Sequence, residues 1–310
     1  MNQNQPTISR TLPRIFAITL GCIVPAAMST TAHATAVVTS ASGPLAADIQ
    51  GAVAGFRTSI ALGGGNNNAG GSFPNGFRNI NWDGVGDNLS DPNFLPGNFF
   101  NANSPRGLLM TTPGTGFLLS AKAVNPTSTP IDFGSIDPSY PTNFQAFSAE
   151  RLFIAVGSTI TDNDFFVPNS PGTAASVFGF GVVFTDVDIL GSTSLEFFDL
   201  NGFSLGTFNA PVQDGGFSFL GVSFDAGELV GSVRVTSGNA ALGAGIIDGA
   251  GRDVVAMDDF MYSEPQSVVP EPGSAALILL GLGSIGALRR RSPLADRGSV
   301  RLASVAAGVL

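Results

Sequence analysis

Carboxylates are the only reactive side chains this sequence holds in quantity, and four of them are spaced to act in pairs. Asp186 and Asp188 stand two apart at the end of an apolar run, 177–185, so in a regular strand both project from one face. Phe178, Phe180 and Phe184 share that face, which predicts an acidic pair at the rim of an apolar layer. Asp258 and Asp259 are neighbours and in a regular strand point to opposite faces, so one of them must point inward. A carboxylate turned into an apolar interior needs a cation or several donors, or its pKa rises. Two readings of these residues follow. Asp258 or Asp259, with Asp186 and Asp188, offers hard oxygen ligands to a structural Ca²⁺. The other reading has the inward carboxylate satisfied by backbone N–H groups or by an arginine such as Arg234. Asp83, Asp87 and Asp91 form a second acidic stretch, but without the spacing and terminal Glu of an EF-hand, so it reads as a solvated loop. Asp162-Asn163-Asp164 reads as a turn.

Two carboxylates at the right separation also suffice for glycoside hydrolysis. Sugar clefts are lined with Trp and Tyr, however, and the chain has one Trp (Trp82) and two Tyr (Tyr140 and Tyr262). That shortage argues against a hydrolase and weakens a carbohydrate-binding reading, and Trp82 is expected in the core.

The rest of the inventory narrows the chemistry further. Residues 1–34 have the form of a secretory signal peptide: Arg10 and Arg14, an apolar stretch 15–28, then Ala32-His33-Ala34 as the cleavage site. The only Cys (Cys22) and the only His (His33) lie inside it. An exported chain beginning near Thr35 then has no disulfide, thiol nucleophile, imidazole base, or N or S metal ligand, which excludes Ser-His-Asp, Cys-His, zinc and haem chemistry. Residues 35–269 carry 21 acidic and seven basic side chains, a net charge of −14. Such a surface repels phosphate, so no nucleic-acid partner is expected.

The elements that position these groups read as strands. Segments 144–158, 177–188, 195–200, 203–208, 217–224, 229–237 and 254–262 are rich in Phe and Val and bounded by Gly, Asp, Asn or Pro. Asn201-Gly202 predicts a two-residue type I′ hairpin that sets Phe198 opposite Leu205 and Leu195 opposite Phe208. Residues 35–55 read as a linker or first element, with a weak helix signal from Ala46 to Phe56; the Gly/Asn-rich run 63–71 is a loop. Forty Gly, twenty Pro and no long helical period point to an all-β protein, an antiparallel, jelly-roll-like β-sandwich over 56–264.

After the body comes Val269-Pro270-Glu271-Pro272-Gly273-Ser274, then an uncharged Leu/Ile/Ala/Gly run, 274–288, then Arg289-Arg290-Arg291. As a helix the run would rise roughly 22 Å at about 1.5 Å per residue, short of a hydrocarbon core of roughly 30 Å. The arginines are a stop-transfer signal that leaves the preceding chain across the membrane. Pro270 and Pro272 keep the segment before the run extended and accessible. The three parts in this order resemble the PEP-CTERM sorting domain over 269–291, with a tail, 292–310, beyond it. The resemblance implies a short transmembrane sorting helix, transient inner-membrane association, and processing near Pro270, Glu271 and Pro272 by exosortase, a membrane transpeptidase of exopolysaccharide-producing Gram-negative bacteria.

The body, from about Phe56 to Tyr262, resembles a family of secreted bacterial proteins with strings such as Ile80-Asn81-Trp82-Asp83-Gly84-Val85 and Met257-Asp258-Asp259-Phe260, which brings no known activity with it. The expectation is therefore a non-enzymatic surface or matrix protein associated with extracellular polysaccharide in a biofilm. A weak carbohydrate-binding module is the alternative, and a carboxylate hydrolase comes third.

Overall fold

A computed structural model of the chain describes residues 35–68 and 70–268. The signal peptide with Ala32 and Ala34, the sorting segment with Pro270, Glu271 and Pro272, the run 274–288, Arg289, Arg290, Arg291 and the tail lie outside the described residues.

Among the described residues fifteen strands follow in order: β1 Ala36–Gly43, β2 Phe77–Ile80, β3 Phe94–Leu95, β4 Leu108–Thr111, β5 Gly116–Leu119, β6 Phe153–Val156, β7 Ile160–Val167, β8 Ser170–Ser176, β9 Gly179–Val187, β10 Ser194–Asp199, β11 Ser204–Asn209, β12 Gln213–Phe224, β13 Val230–Thr236, β14 Ala256–Ser263 and β15 Gln266–Ser267. They form two antiparallel sheets. One runs β1-β12-β9-β14-β6-β5-β3, with β2 also on β14, and the other β11-β10-β13-β7-β8-β15, with β4 also on β7. The expected sandwich is therefore present. Its central core takes Phe180, Val182 and Phe184 from β9, Met257, Phe260 and Tyr262 from β14 and Leu220 and Val222 from β12. The second sheet contributes Leu195, Phe197, Val233, Val235 and Phe165.

The first sheet is buried on both sides, because a helix and two long loops cover its outer face. Helix α1, Ala46–Ala61, turns Ile49, Val53, Phe56 and Ile60 to the sheet, a spacing of four, three and four that makes one apolar stripe. Asp48 in its first turn accepts the N–H of Leu45 at 2.9 Å and suits the positive end of the helix dipole. Residues 35–55 are thus a strand and most of a helix. The sandwich begins at Ala36, twenty residues before Phe56, because β1 pairs along its whole length with β12.

The helix fits because two glycines face each other across β9 and β12, Gly181 opposite Gly221. A Cβ on Gly221 would stand 2.7 Å from the ring of Phe56, and one on Gly181 2.8 Å from it. The aromatic ring lies in a notch that only two missing side chains provide.

Trp82 is interior as expected, 1% exposed, stacked on Phe153 at 4.3 Å and edge-on to Phe260 at 5.1 Å. Several local expectations shift. Of 144–158 only Phe153–Val156 is strand. Asp162-Asn163-Asp164 lies within β7 rather than in a turn, and Asp162 pairs with Arg234 at 2.7 Å. The 195–208 hairpin closes with three loop residues. Asp199 N–H donates to Phe203 O at 2.9 Å, and Gly202 has φ 81° while Asn201 is not among the positive-φ residues. A type I′ turn requires positive φ at both central residues. The carboxylate of Asp199 accepts the N–H groups of both Asn201 and Phe203 at 2.8 Å, which sets the wider loop. Leu195 stands opposite Phe208, but a register shift after Phe197 puts Phe198 opposite Ser204 instead of Leu205.

The notch makes a prediction. Gly221→Ala forces the Phe56 ring or the sheet to move and should cost about 1–3 kcal/mol, read as a lower denaturation midpoint. Gly55→Ala, on the same helix where a Cβ meets nothing within 4 Å, should instead stabilise by roughly 0.5–1 kcal/mol. Equal effects of the two variants would contradict this packing.

Candidate functional site

The two aspartate pairs sit on one sheet, each at a break in its alternation. On β14, Met257 pairs with Phe184 and Phe260 with Val182. Asp258 and Asp259 thus share the interval opposite Val183 alone, a β-bulge. The bulge keeps Met257 and Phe260 both in the central core and turns both carboxylates to the outer side of the sheet. The two aspartates therefore do not point to opposite faces, and neither enters the core between the sheets.

On that side protein donors meet them. The N–H groups of Phe147 and Ser148 donate to Asp258 Oδ2 at 2.6 and 3.1 Å. Ser148 Oγ lies 3.1 Å from Asp258 Oδ1 and 2.7 Å from Asp259 Oδ1. Arg57 of α1 pairs with Asp259 Oδ2 at 2.5 Å, and Asn79 Nδ2 donates to the same oxygen at 3.3 Å. Trp82 Nε1 donates to the carbonyl of Asp258 at 2.7 Å. Asp258 is fully buried and Asp259 2% exposed. Burial, and then the charge of Asp259, push the Asp258 carboxyl well above its usual range against the N–H groups of Ser148 and Phe147. Every oxygen of the pair has a protein partner, and solvent does not reach it. The cation of this pair is Arg57, while Arg234 is engaged elsewhere.

The second pair has a different environment. Gln213 of β12 stands opposite Val187 and Phe217 opposite Thr185, so Asp214, Gly215 and Gly216 all lie opposite Asp186. Asp186 adopts φ 68° and Gly215 φ 59°. This distortion reverses the strand's parity: Val187 joins Phe180, Val182 and Phe184 in the core. Asp186 is thereby taken off the face of Phe184 that regular alternation assigns it.

Asp188 follows, and Asp248, from the loop before β14, joins them; one carboxylate oxygen from each lies within 4.8 Å of the others. Gly215 N–H donates to Asp186 Oδ1 at 2.8 Å, and Asp248 Oδ1 accepts Val254 N–H at 3.0 Å. Asp186 Oδ2 and Asp188 Oδ1 are buried with no partner. Burial raises Asp186 to about 6, with the charges of Asp248 and Asp214 adding and the Gly215 N–H and Asn143 opposing. Burial, the Asp248 carboxyl, and the charges of Asp186, Asp248 and Asp214 raise Asp188 to about 8. The adjoining Asp253 is occupied, accepting the N–H groups of Asp188 and Ile189 at 3.1 Å.

Sequence spacing brings Asp186 and Asp188 together but misses Asp248 and Asp214. The run Asp214-Gly215-Gly216 inside a strand carries a bulge signal; Asp248 carries none, since only the fold delivers its loop. The Asp83, Asp87 and Asp91 carboxylates are not a solvated loop: Asp83 and Asp87 both engage Arg151, and Asp91 is buried. Asp83 accepts the N–H groups of Glu150 and Arg151 at 2.7 and 3.1 Å, Asp87 pairs with Arg151 at 2.5 Å, and Asp91 bonds Ser135.

Comparison with known proteins finds one correspondence, the PEP-CTERM protein-sorting motif at residues 268–292. The motif marks a protein exported and sorted to the cell envelope through the exosortase pathway. No curated protein and no solved structure matches the chain. None of the described helices is long and apolar enough to cross a membrane.

The Asp258 network is testable by its donors. Asp258→Ala leaves the part-buried N–H groups of Phe147 and Ser148 without their acceptor and should cost about 1–3 kcal/mol in all. Asp258→Asn keeps an acceptor oxygen and should cost less. A denaturation midpoint unchanged in Asp258→Ala would contradict the assignment.

Proposed function

We propose that this is a non-enzymatic protein of the outer surface or extracellular matrix of a Gram-negative bacterium, associated with exopolysaccharide in a biofilm. The observation that carries the reading is the sorting motif at residues 268–292, which follows directly on β15, Gln266–Ser267. The signal peptide would export the chain, and Arg289, Arg290 and Arg291 would hold the run 274–288 at the inner membrane. Exosortase would then cut near Pro270, Glu271 and Pro272 and pass the sandwich outward.

The state of the carboxylates supports a structural over a catalytic role. Asp258 and Asp259 are sealed from solvent and held by donors, so neither is placed to protonate a leaving group or attack a substrate. Trp82, Tyr140 and Tyr262 are each at most 1% exposed, which leaves a sugar no Trp or Tyr platform and counts against the carbohydrate-binding alternative.

The sorting step is tested in an exopolysaccharide-producing host with its own exosortase. Wild-type protein should appear outside the inner membrane as a chain shortened near residue 270. Replacing Pro270, Glu271 and Pro272 together by Ala should leave a longer chain in the membrane fraction. Identical size and distribution for the two would refute exosortase processing at this sequence.

A further inference from the structure

The second aspartate cluster presents two buried oxygens without a protein hydrogen bond of normal geometry, although the Asn143 side chain lies close to Asp186 and the Asp248 carboxyl to Asp188. Asp186 is 1% exposed, and its Oδ2, like Asp188 Oδ1, has no hydrogen-bond partner. A buried polar atom without a partner is unfavourable unless a ligand takes the place of water. The three carboxylates of Asp186, Asp188 and Asp248 converge, with one oxygen from each within 4.8 Å of the rest. Oxygens bound to one Ca²⁺ at 2.3–2.6 Å lie at most about 5 Å apart, so this spacing fits a shared coordination sphere.

We propose that Asp186, Asp188 and Asp248 form a binding site for a divalent cation of the calcium class. The donor chemistry selects the ion. All three ligands are hard oxygens, and residues 35–268 contain no His or Cys, which disfavours zinc and copper. A strand end and a loop supply an irregular set, which suits Ca²⁺ better than Mg²⁺ with its strict octahedron and its retained waters. Three carboxylates with the remaining positions left to water or carbonyls correspond to the weak extracellular sites, with Kd about 10⁻⁴–10⁻³ M. The nearby Asp214 adds negative potential without being needed as a ligand. Bound there, the cation ties the irregular β9–β12 crossing to the loop that carries Asp248. The site draws on neither the sorting motif nor the sandwich's role outside the cell.

Thermal unfolding of the purified full-length chain tests it. Calcium at 5 mM, against a chelator, should raise Tm by about 2–5 °C, as expected for one site of this affinity in a protein of this size. Mg²⁺ at equal concentration should give a smaller rise, and Na⁺ at matched ionic strength almost none. Asp248→Asn retains an acceptor for Val254 N–H and should lose the calcium-dependent shift while folding without calcium. Asp188→Asn provides the same test should the first variant not fold. The proposal is overturned by no calcium shift in the wild type, by an undiminished shift in the variants, or by equal shifts with Mg²⁺ or matched Na⁺.

Discussion

The architecture depends on a single extra residue in β14. This strand lies between β9 and β6 at the centre of its sheet, and it must place Met257 and Phe260 in the same core while carrying two adjacent aspartates between them. A regular strand cannot do this, since its side chains alternate. The bulge at Asp258 and Asp259 removes the conflict and sends both carboxylates to the outer face. Their partners then join four segments: Arg57 from α1, Asn79 from β2, Trp82 just after it, and the 147–148 loop. A buried ionic network of this kind adds little net stability, because desolvation offsets the attraction, but losing one member is costly. Its contribution is to fix where the helix and the loop sit on the sheet.

The crossing of β9 and β12 uses the same device to a different end. Here too a break in alternation lifts a carboxylate, Asp186, off the core face while Val187 takes its place. What differs is the supply of donors. Around Asp258 and Asp259 there are two backbone N–H groups, a hydroxyl, an amide and an arginine. Around Asp186 and Asp188 there are the Gly215 N–H and the Asn143 amide, with further carboxylates close by. One cluster is complete within the protein and the other is not. Side-chain type alone does not separate a structural aspartate from a ligand; the available donors do.

The division between what the sequence reveals and what it hides follows this physics. Runs of Phe and Val between Gly and Asp identify the strands from 177 onward, because burial in a sandwich demands those types at those places. Trp82 was legible as core, and the Pro-Glu-Pro, apolar and arginine order was legible as a sorting signal. Face assignments were reliable only where strands are regular. They failed at Asp258–Asp259, at Asp186 and after Phe197, each beside a bulge whose cost and benefit are decided by partners distant in the chain. The helix over Ala46–Ala61 was only weakly marked. Gly51 and Gly55 dilute its helix propensity, and the notch that receives Phe56 lies more than 120 residues further on. Asp248 had no local signature, since its loop reaches the rim only through the path of the chain between β13 and β14.

The account's central claim is that these two bulges divide the aspartates into a closed set and an open one. A crystal structure of the protein grown in calcium tests it most directly. The account predicts an ion coordinated by Asp186, Asp188 and Asp248, with Asp258 and Asp259 on the same side of β14 and held by Phe147, Ser148 and Arg57. An ion bound at Asp258 and Asp259, or those two side chains on opposite faces of the strand, would contradict it.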